Sequence, residues 1–194
     1  MSESCCTLPP HLVIIGGGSA AFAAAIRAHE LGARITMINE GLPIGGTCVN
    51  VGCVPSKNLI RAAEVVHRAN AHQFRGIETH GRVVDFREII AQKRELVGQL
   101  RQAKYLDVVA DFDNFHLIEG RARLTAPGEV EVNGEHIAAD AIVIATGATP
   151  AVPPIPGLTE AGYLTNETAY ELEELPESLI VLGGNYIGLE NAQM

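Results

Sequence analysis

The sequence of 194 residues is poor in basic residues, with 14 Lys and Arg against 23 Asp and Glu. It contains no Lys/Arg cluster and no basic stripe with interleaved aromatic residues. Because nucleic-acid binding depends on clustered basic side chains that neutralise phosphates, the composition argues against nucleic acid as a partner.

Long apolar runs are also missing. The most apolar segment, Leu12 to Ile26, is interrupted by Gly16, Gly17 and Gly18 and is shorter than the roughly 20 residues that a membrane-spanning helix needs. The N-terminal residues, MSESCC, lack the basic start of a secretory signal. With 47% hydrophobic residues, the chain is expected to be globular and cytoplasmic, with no membrane partner.

Cysteine is scarce, yet two of the four cysteines, Cys48 and Cys53, lie close together in the segment GGTCVNVGCVPSK. Structural disulfides are unusual in the cytoplasm, so a close pair indicates a catalytic, redox or metal-binding role. The alternative is an inert buried pair or a two-thiol metal site. Neither a second CxxC nor a pair of histidines at ligand spacing accompanies the two cysteines.

The spacing of this pair sets a condition on the backbone. Residues five apart in a regular helix have Cα atoms roughly 8 to 9 Å apart, whereas a disulfide needs less than about 7 Å. The segment must therefore bend if the pair closes, and Gly52 and Pro55 permit a distorted turn before a helix that begins at Ser56. Sulfur atoms near the N-terminus of that helix are expected to have a lowered thiol pKa.

The first part of the chain has the pattern of a βαβ unit. The apolar run His11 to Ile15 predicts a strand, Ala20 to Leu31 a helix that ends at Gly32, and Arg34 to Ile38 a second strand.

The turn between the first strand and the helix carries a dinucleotide-binding pattern, with Gly16, Gly18 and Ala21 in the GxGxxG/A positions. The first glycine allows the turn, the second allows a pyrophosphate to approach, and the third small residue allows close packing of the helix. Phosphates would lie at the N-terminus of the helix. A merely structural glycine turn is the alternative.

The remaining pattern predicts an α/β fold with an antiparallel insertion. We expect further helices and strands, and a type I′ hairpin turn at Asn133 and Gly134. Six apolar residues at helical spacing should form core. The helices are Ser56 to Ala71 and Phe86 to Tyr105; the strands are Phe115 to Glu119, Glu129 to Val132, His136 to Ala138, Ala141 to Ala145 and Ser178 to Leu182; the core residues are Phe86, Ile89, Ile90, Leu96, Val97 and Leu100.

The predicted domain order has four segments: a disordered tail at 1–10, a Rossmann-like FAD-binding domain at 11–150, a proline-rich crossover linker at 151–177, and the start of a second Rossmann-like, NAD(P)-binding domain at 178–194. The last segment begins with an apolar strand and continues as GGNYIGLENAQM, a second glycine fingerprint.

GGTCVNVGCVPSK resembles the active-site segment of the flavin-dependent pyridine nucleotide–disulfide oxidoreductases. The resemblance extends over essentially the whole chain, through the first fingerprint, ATGATP at Ala145 to Pro150, and the second fingerprint. Within the family, LRQAKY at Leu100 to Tyr105 and ATGATPAVPPIPGL at Ala145 to Leu158 look most like the members that reduce Hg(II).

The resemblance implies sites for two cofactors, FAD and NADPH. The FAD-binding residues would cradle the pyrophosphate, line the flavin site, touch the adenine end or close the domain: Gly16, Gly18, Ser19, Ala20, Ala21, Gly41, Gly46, Thr47, Lys57, Ala122, Thr146 and Gly147. The NADPH site would use Gly183 and Gly188.

The resemblance also implies catalytic roles. Cys53 would lie against the flavin as the charge-transfer thiolate, and Cys48 would be the thiol that meets the substrate. Lys57 would lie near the reactive flavin nitrogen and pair with Glu190, although a solvated charge is the alternative for both. Tyr186, four residues before Glu190, would cover the nicotinamide pocket.

Two positions depart from the family pattern. Where an acidic residue normally binds the adenosine ribose, this chain has Asn39 followed by Glu40, and either could accept the hydroxyls. In the second fingerprint Asn185 replaces the middle glycine, and asparagine tolerates a left-handed conformation.

The resemblance implies NADPH-dependent reduction of Hg(II), bound transiently by Cys48 and Cys53, to Hg(0) in a protein that dimerises at full length. The alternatives are a disulfide substrate such as glutathione or lipoamide, and a fragment that binds flavin without turnover. Cys5 and Cys6 precede the predicted fold; we expect a disordered tail there rather than an additional metal-transfer pair.

Overall fold

The computed structural model describes residues 8–194. This part of the chain divides into two compact units. The first comprises 8–47 and Arg101–Ala148, and the second comprises Cys48–Leu100 and Thr149–Met194. These boundaries differ from those of the predicted segments. The predicted linker at 151–177 and the predicted domain start at 178–194 both lie in the second unit, and their assignment as a linker and as part of a nucleotide-binding domain stays a prediction.

A four-stranded parallel sheet forms the centre of the first unit, with strand order β3-β2-β1-β7. The apolar, β-branched runs that the sequence marks as strands pair in register, for example Val13 with Thr36 and with Ile142. Four predicted strands are thereby confirmed, to within one residue at each end. Their bounds are β1 His11–Ile15, β2 Arg34–Asn39, β3 Phe115–Glu119 and β7 Ala141–Ile144.

Helix α1, Ser19–Glu30, packs on this sheet through a face of small side chains. Ala21, Ala25 and Ala28 are buried with Phe22 against residues of β1 and β2. Gly32 follows the helix at φ +75°, a conformation that glycine adopts without strain. The predicted helix and its glycine end are confirmed.

The predicted antiparallel insertion is a three-stranded sheet in the order β4-β5-β6. Its strands are β4 Arg123–Ala126, β5 Glu129–Val132 and β6 Glu135–Ala138. Asn133 and Gly134 both have positive φ, 53° and 83°, as the type I′ turn requires. Strand β4 was not predicted; it is only four residues long, all four are exposed, and Leu124 is its only large apolar side chain.

Six α-helices are assigned after α1 and before the last: α2 Gly46–Val51, α3 Cys53–Asn70, α4 Phe86–Arg101, α5 Asp107–Val109, α6 Leu158–Ala161 and α7 Asn166–Ala169; α8 is Tyr186–Gln193. A π-helical turn, Gln102–Leu106, separates α4 from α5. The predicted helix Phe86 to Tyr105 is therefore α-helical only as far as Arg101.

A small apolar core in the second unit joins α3, α4 and α7, with Leu59, Ile90 and Tyr170 buried. Of the six predicted core residues of α4, only Ile90 is fully buried, and the other five are half-buried. Lys93 is buried instead, at 1% exposure, with its ammonium group paired to Glu171. Its long apolar stem explains how a charged residue occupies a core position.

The predicted strand Ser178 to Leu182 is wrong, because this segment has no regular structure. Its apolar side chains are exposed, Ile180 to 88%. A strand needs a neighbouring strand to satisfy its backbone groups, and every strand in residues 8–194 belongs to the first unit.

At the N-terminus, Cys5 and Cys6 lie outside the described residues. The carbonyl of Pro10, the last residue of the predicted tail 1–10, accepts a hydrogen bond of 2.8 Å from the Arg34 amide, and the disorder of the tail stays a prediction. Across residues 8–194, none of the helices combines the length and the apolar character needed to cross a bilayer.

Candidate functional site

The glycine turn after β1 lies in tight backbone contact with two other segments of the first unit. Gly16 has φ +118°, and a Cβ there would lie 2.1 Å from the Ala145 carbonyl oxygen, just after β7. A Cβ at Gly46 would lie 2.7 Å from the Gly18 Cα. These contacts leave no space for side chains, so the glycines are needed for the backbone to pass this closely.

The N-terminus of α1 is suited to an anion. Gly18 precedes the helix with an extended backbone, no side chain caps the first turn, and that turn contains no acidic residue. Ser19 and Ala20 are exposed, whereas Ala21 is fully buried. The N–H groups and the dipole of the helix would favour a diphosphate here, so the residues present fit the pyrophosphate of FAD.

Tyr105 is a residue of this region that sequence reasoning missed. Its hydroxyl lies 3.0 Å from the Ser19 Oγ, and its ring packs edge-on against Phe22. The π-helical turn carries Tyr105, and no sequence pattern predicts that turn.

The end of β2 holds the two candidates for binding the ribose. Asn39 is buried, its Nδ2 donates to the Leu42 carbonyl at 3.0 Å, and a Cβ at Gly17 would lie 2.5 Å from its Oδ1. Glu40 is exposed, with the Arg121 Nε 4.0 Å away. The carboxylate of Glu119, at the end of the neighbouring β3, lies 3.5 Å from the Asn39 Nδ2. Glu119 is a carboxylate beside the two candidates that sequence reasoning missed, and ribose binding by Asn39 or Glu40 stays a prediction.

Of the other predicted FAD residues of the first unit, Thr47 is the second residue of α2 and the rest lie on loops. Gly41, Thr47, Thr146 and Gly147 are exposed, and Gly41 and Gly147 have positive φ. Ala122 is half-buried against the apolar cluster of Val13 and Val130. Their contact with FAD stays a prediction.

Cys48 and Cys53 lie on two successive helices, α2 and α3, and the predicted bend is present. Gly52 separates the helices at φ −128°, ψ −115°, far from helical geometry. Both cysteines are free thiols, and both are exposed, which is contrary to a buried inert pair. Their side chains interact directly: the hydrogen bond with Cys53 raises the pKa of the Cys48 thiol, and burial adds to the increase.

The sequence expectation of a lowered pKa is thus wrong for Cys48. The physical reason is its position: Cys48 lies within α2, where its hydrogen bond with the Cys53 side chain and its partial burial both favour the protonated thiol. Only Cys53 lies at the N-terminus of α3.

Helix α3 begins three residues earlier than predicted, at Cys53 rather than Ser56. Pro55 is its third residue, where an N–H would have no partner within the helix, so proline is tolerated. The first intrahelical bond runs from the Ser56 amide to the Gly52 carbonyl at 3.1 Å.

Lys57 of α3 forms an ion pair with Glu190 of α8, as the resemblance implied. The hydrogen bond from Lys57, followed by one from Ser56, lowers the pKa of the Glu190 carboxyl. The pair is present in the structure, and its role toward a cofactor stays a prediction.

Tyr170 is a buried polar residue beside this ion pair that the sequence did not reveal. It is 3% exposed, and its side chain interacts with those of Ser56 and Asn191. Burial, and next the Glu190 carboxylate, raise the pKa of the Tyr170 phenol, so this hydroxyl is neutral at physiological pH.

The second fingerprint turns into α8. Gly183 has φ +115°, and a Cβ at Gly188 would lie 2.3 Å from the Gly183 carbonyl oxygen. Asn185 has an extended backbone, not the left-handed one that its residue type allows, and its Oδ1 accepts a hydrogen bond from the Gly188 amide at 3.1 Å. Asn185 is thus the N-cap of α8. Tyr186 begins the helix and is exposed, one turn before Glu190.

Comparison with known proteins identifies the class to which this fold and site belong. The family model described as pyridine nucleotide-disulphide oxidoreductase matches residues 10–194. The chain therefore belongs to the pyridine nucleotide–disulfide oxidoreductase family, as its sequence motifs indicated.

Similar curated proteins are mercuric reductases. The chain is 47% identical to that of Lysinibacillus sphaericus over 183 residues, covering 94% of this chain and 33% of that protein. It is 46% identical to the Staphylococcus aureus enzyme with the same coverage, and 46% identical to that of Streptomyces lividans, with 94% and 40% covered. The chain spans about a third of the length of the first two.

A solved structure also resembles the chain. The HOCl-induced flavoprotein disulfide reductase RclA from Escherichia coli aligns with a TM-score of 0.79 and 35% identity, covering 94% of this chain and 38% of that one. The α/β fold with a Rossmann-like parallel sheet and an antiparallel insertion is confirmed.

Proposed function

We propose that the chain is part of an NAD(P)H-dependent flavoprotein reductase whose redox-active dithiol, Cys48 and Cys53, takes Hg(II) as its substrate. The observation that carries this proposal is the pair of exposed, interacting thiols at the Gly52 bend. Similarity to mercuric reductases over 94% of the chain supports the choice of Hg(II).

The first unit would hold FAD, which when bound supplies two-electron transfer from a nicotinamide. Gly16, Gly18 and Ser19 would place backbone N–H groups and a hydroxyl at its diphosphate. Glu40, the exposed carboxylate at the end of β2, would accept the ribose hydroxyls.

The thiols would capture the metal ion as a pair. Hg(II) is a soft ion that prefers sulfur, and two thiolates bind it with the release of two thiol protons. NADPH would then provide the two electrons that convert Hg(II) to Hg(0), leaving NADP⁺ and a proton, after which both thiols are available again. The raised pKa of Cys48 means that the ion, rather than solvent, would drive loss of its proton.

Lys57 and Tyr186 would act on the cofactors. The Lys57 ammonium, held by Glu190, would present positive charge to the electron-accepting ring. Tyr186, exposed at the start of α8, would cover the nicotinamide. NADPH in preference to NADH, a homodimer at full length and a cytoplasmic location belong to the same proposal.

A disulfide is the second candidate substrate. RclA, which this chain resembles over 94% of its length, is described as a flavoprotein disulfide reductase. Thiol–disulfide exchange at an exposed dithiol would serve such a substrate equally well.

The test compares substrates on one protein. The chain would carry Cys5→Ala and Cys6→Ala, so that Cys48 and Cys53 are the only thiols. We expect about one Hg(II) bound per chain, loss of tight binding in Cys48→Ala and in Cys53→Ala, and NADPH oxidation by the FAD-loaded protein that depends on Hg(II). Oxidation that depends on glutathione disulfide or lipoamide instead would favour the second candidate. Binding without oxidation would indicate a fragment that does not turn over.

A further inference from the structure

The bend between the two cysteines is held by a side chain from a distant part of the sequence. The Nδ2 of Asn166 donates a hydrogen bond of 2.7 Å to the carbonyl oxygen of Val51. Asn166 is 9% exposed. Val51 is the last residue of α2, so this bond lies between Cys48 and Cys53 in the chain.

The hydrogen bond from Asn166 satisfies the Val51 carbonyl, which the bend at Gly52 leaves without a partner in the helix. Carbonyl groups in the last turn of a helix have no partner within it, and the break at Gly52 prevents α2 from continuing into α3. The Asn166 amide supplies a partner at the point where the chain changes direction. It therefore restrains the end of α2, on which Cys48 lies, relative to the other elements of the second unit.

Helix α7, which carries Asn166, is itself fixed at both ends. Thr165 and Thr168 form a reciprocal capping box at its start. Tyr170 follows four residues after Asn166, on the same face of the helix, and is buried with its side chain interacting with Ser56 of α3. Helix α7 and the residue directly after it thus contact the dithiol segment on both sides of Gly52.

We propose that Asn166 is a positioning residue for the dithiol, which holds Cys48 against Cys53 so that the pair closes and chelates readily. This inference rests on the proposed function, because it assumes that the pair is redox-active. Loss of the Asn166 amide would let α2 move and would lower the effective concentration of one thiol toward the other.

The reaction that reports this effect is exchange with glutathione. A thiolate of the pair attacks glutathione disulfide and releases one glutathione; the second cysteine then attacks the mixed disulfide, forms the Cys48–Cys53 bond and releases the other. The protein loses two electrons and two protons, and two glutathione thiols form. The second, intramolecular step depends on how well the thiols are held together.

The experiment measures this equilibrium in glutathione buffers, by alkylation and mass spectrometry, in the Cys5→Ala, Cys6→Ala background. Asn166→Ala should lower the equilibrium constant for disulfide formation by about fivefold to tenfold, the effect of losing one hydrogen bond of ordinary net strength. Asn70→Ala is the matched control. It removes amide bonds of 2.9 and 2.7 Å to the Val66 and Gly81 carbonyls at the far end of α3 and should change the constant less than about twofold.

A second variant, Asn166→Asp, keeps the side-chain shape but has no donor when ionised. Its deficit should match that of Asn166→Ala at neutral pH and diminish in acid, where a protonated carboxyl can donate; a merely structural loss would not recover. An unchanged constant in both variants, or equal changes in Asn166→Ala and Asn70→Ala, would overturn the proposal, as would a parent protein that forms no Cys48–Cys53 disulfide. If the equilibrium constants for disulfide formation change as expected but the protein neither binds flavin nor turns over mercury, the proposed function is contradicted and the role of Asn166 is not.

Discussion

At Gly16 the backbone passes too close to the end of β7 for any side chain. We expect Gly16→Ala to lower the free energy of unfolding by about 2 to 4 kcal/mol, since the new Cβ would meet the Ala145 carbonyl and the φ of +118° is strained for alanine. FAD binding should be lost with it. Urea unfolding and flavin fluorescence measure the two effects.

Gly98→Ala is the control for this substitution. Gly98 lies within α4, and a Cβ there would meet nothing within 4 Å. Alanine should raise stability by about 0.5 to 1 kcal/mol, as it generally does inside a helix. Equal effects of the two substitutions would contradict the close approach at Gly16.

The Cys48 thiol should respond to removal of its neighbour. Because Cys53 raises the pKa of Cys48, the Cys53→Ala variant should titrate closer to an ordinary thiol. Its Cys48 would then be alkylated by iodoacetamide faster than in the parent protein at pH values below the thiol range. Site-resolved mass spectrometry across pH gives the rates. If the pH dependence of the Cys48 alkylation rate is unchanged in Cys53→Ala, or shifts to higher pH, the hydrogen bond between the two thiols is contradicted.

Some site residues could be predicted from the sequence and others could not. The fingerprint glycines and the cysteine pair are recognisable because their chemistry depends on local spacing. Asn166 and Tyr170 are not, because their contacts with Val51 and Ser56 join positions more than 110 residues apart. The position of Asn39 at the end of β2 makes it a ribose candidate, and only the structure shows that its side chain is buried.

At the scale of elements, α4 is joined to the segment after α7 by a charged pair with one buried member. Glu171→Gln would leave the buried Lys93 ammonium without its carboxylate. Loss of a partner from a fully buried pair costs about 3 to 5 kcal/mol; since Glu171 is 42% exposed, we expect about 1 to 2 kcal/mol in urea unfolding. Glu174→Gln, which removes an exposed partner of Arg87, should cost less than about 0.5 kcal/mol. Similar values for both would contradict the importance of this pair.

The Glu171 carboxylate should also make the free energy of unfolding depend on pH. Burial raises the pKa of Glu171, but hydrogen bonds from Lys93 and then Arg94 prevail and hold it below its ordinary value of 4.5. A carboxyl whose folded pKa is lowered stabilises the protein above its unfolded pKa, and that stability is lost as pH falls through the folded pKa. The stability difference between the parent protein and Glu171→Gln should therefore narrow below pH 4.5. A difference that is constant from pH 7 to pH 3 would contradict this linkage.

The elements that sequence predicts well are those with strong local patterns: β1, α1, β2 and the Asn133-Gly134 hairpin. Local patterns fail to predict the structure where a segment or side chain depends on a partner far away in the sequence. Ser178 to Leu182 has the composition of a strand, but no strand of the second unit lies within the described residues to pair with it. Lys93 occupies a core position because its ammonium group pairs with Glu171. No local pattern predicts this pairing, since the two residues are 78 positions apart in the chain.

At the scale of the whole molecule, the two units divide the proposed chemistry. The first carries the glycine turn suited to a dinucleotide, and the second carries the dithiol and the Lys57–Glu190 pair. Family membership could be predicted from sequence because each motif is a short, uninterrupted stretch of the chain. The compact units themselves could not, because each combines two separated stretches of chain.

The central claim is that a flavin and the Cys48–Cys53 pair form one redox system. The most direct test is an anaerobic reductive titration of the FAD-loaded chain, with Cys5 and Cys6 replaced by alanine, beside the same protein carrying Cys48→Ala and Cys53→Ala. We predict uptake of about four electrons per FAD in the first and about two in the second, since a disulfide and a flavin each accept two. Uptake of two electrons by both proteins, or failure of the chain to bind FAD, would contradict the account.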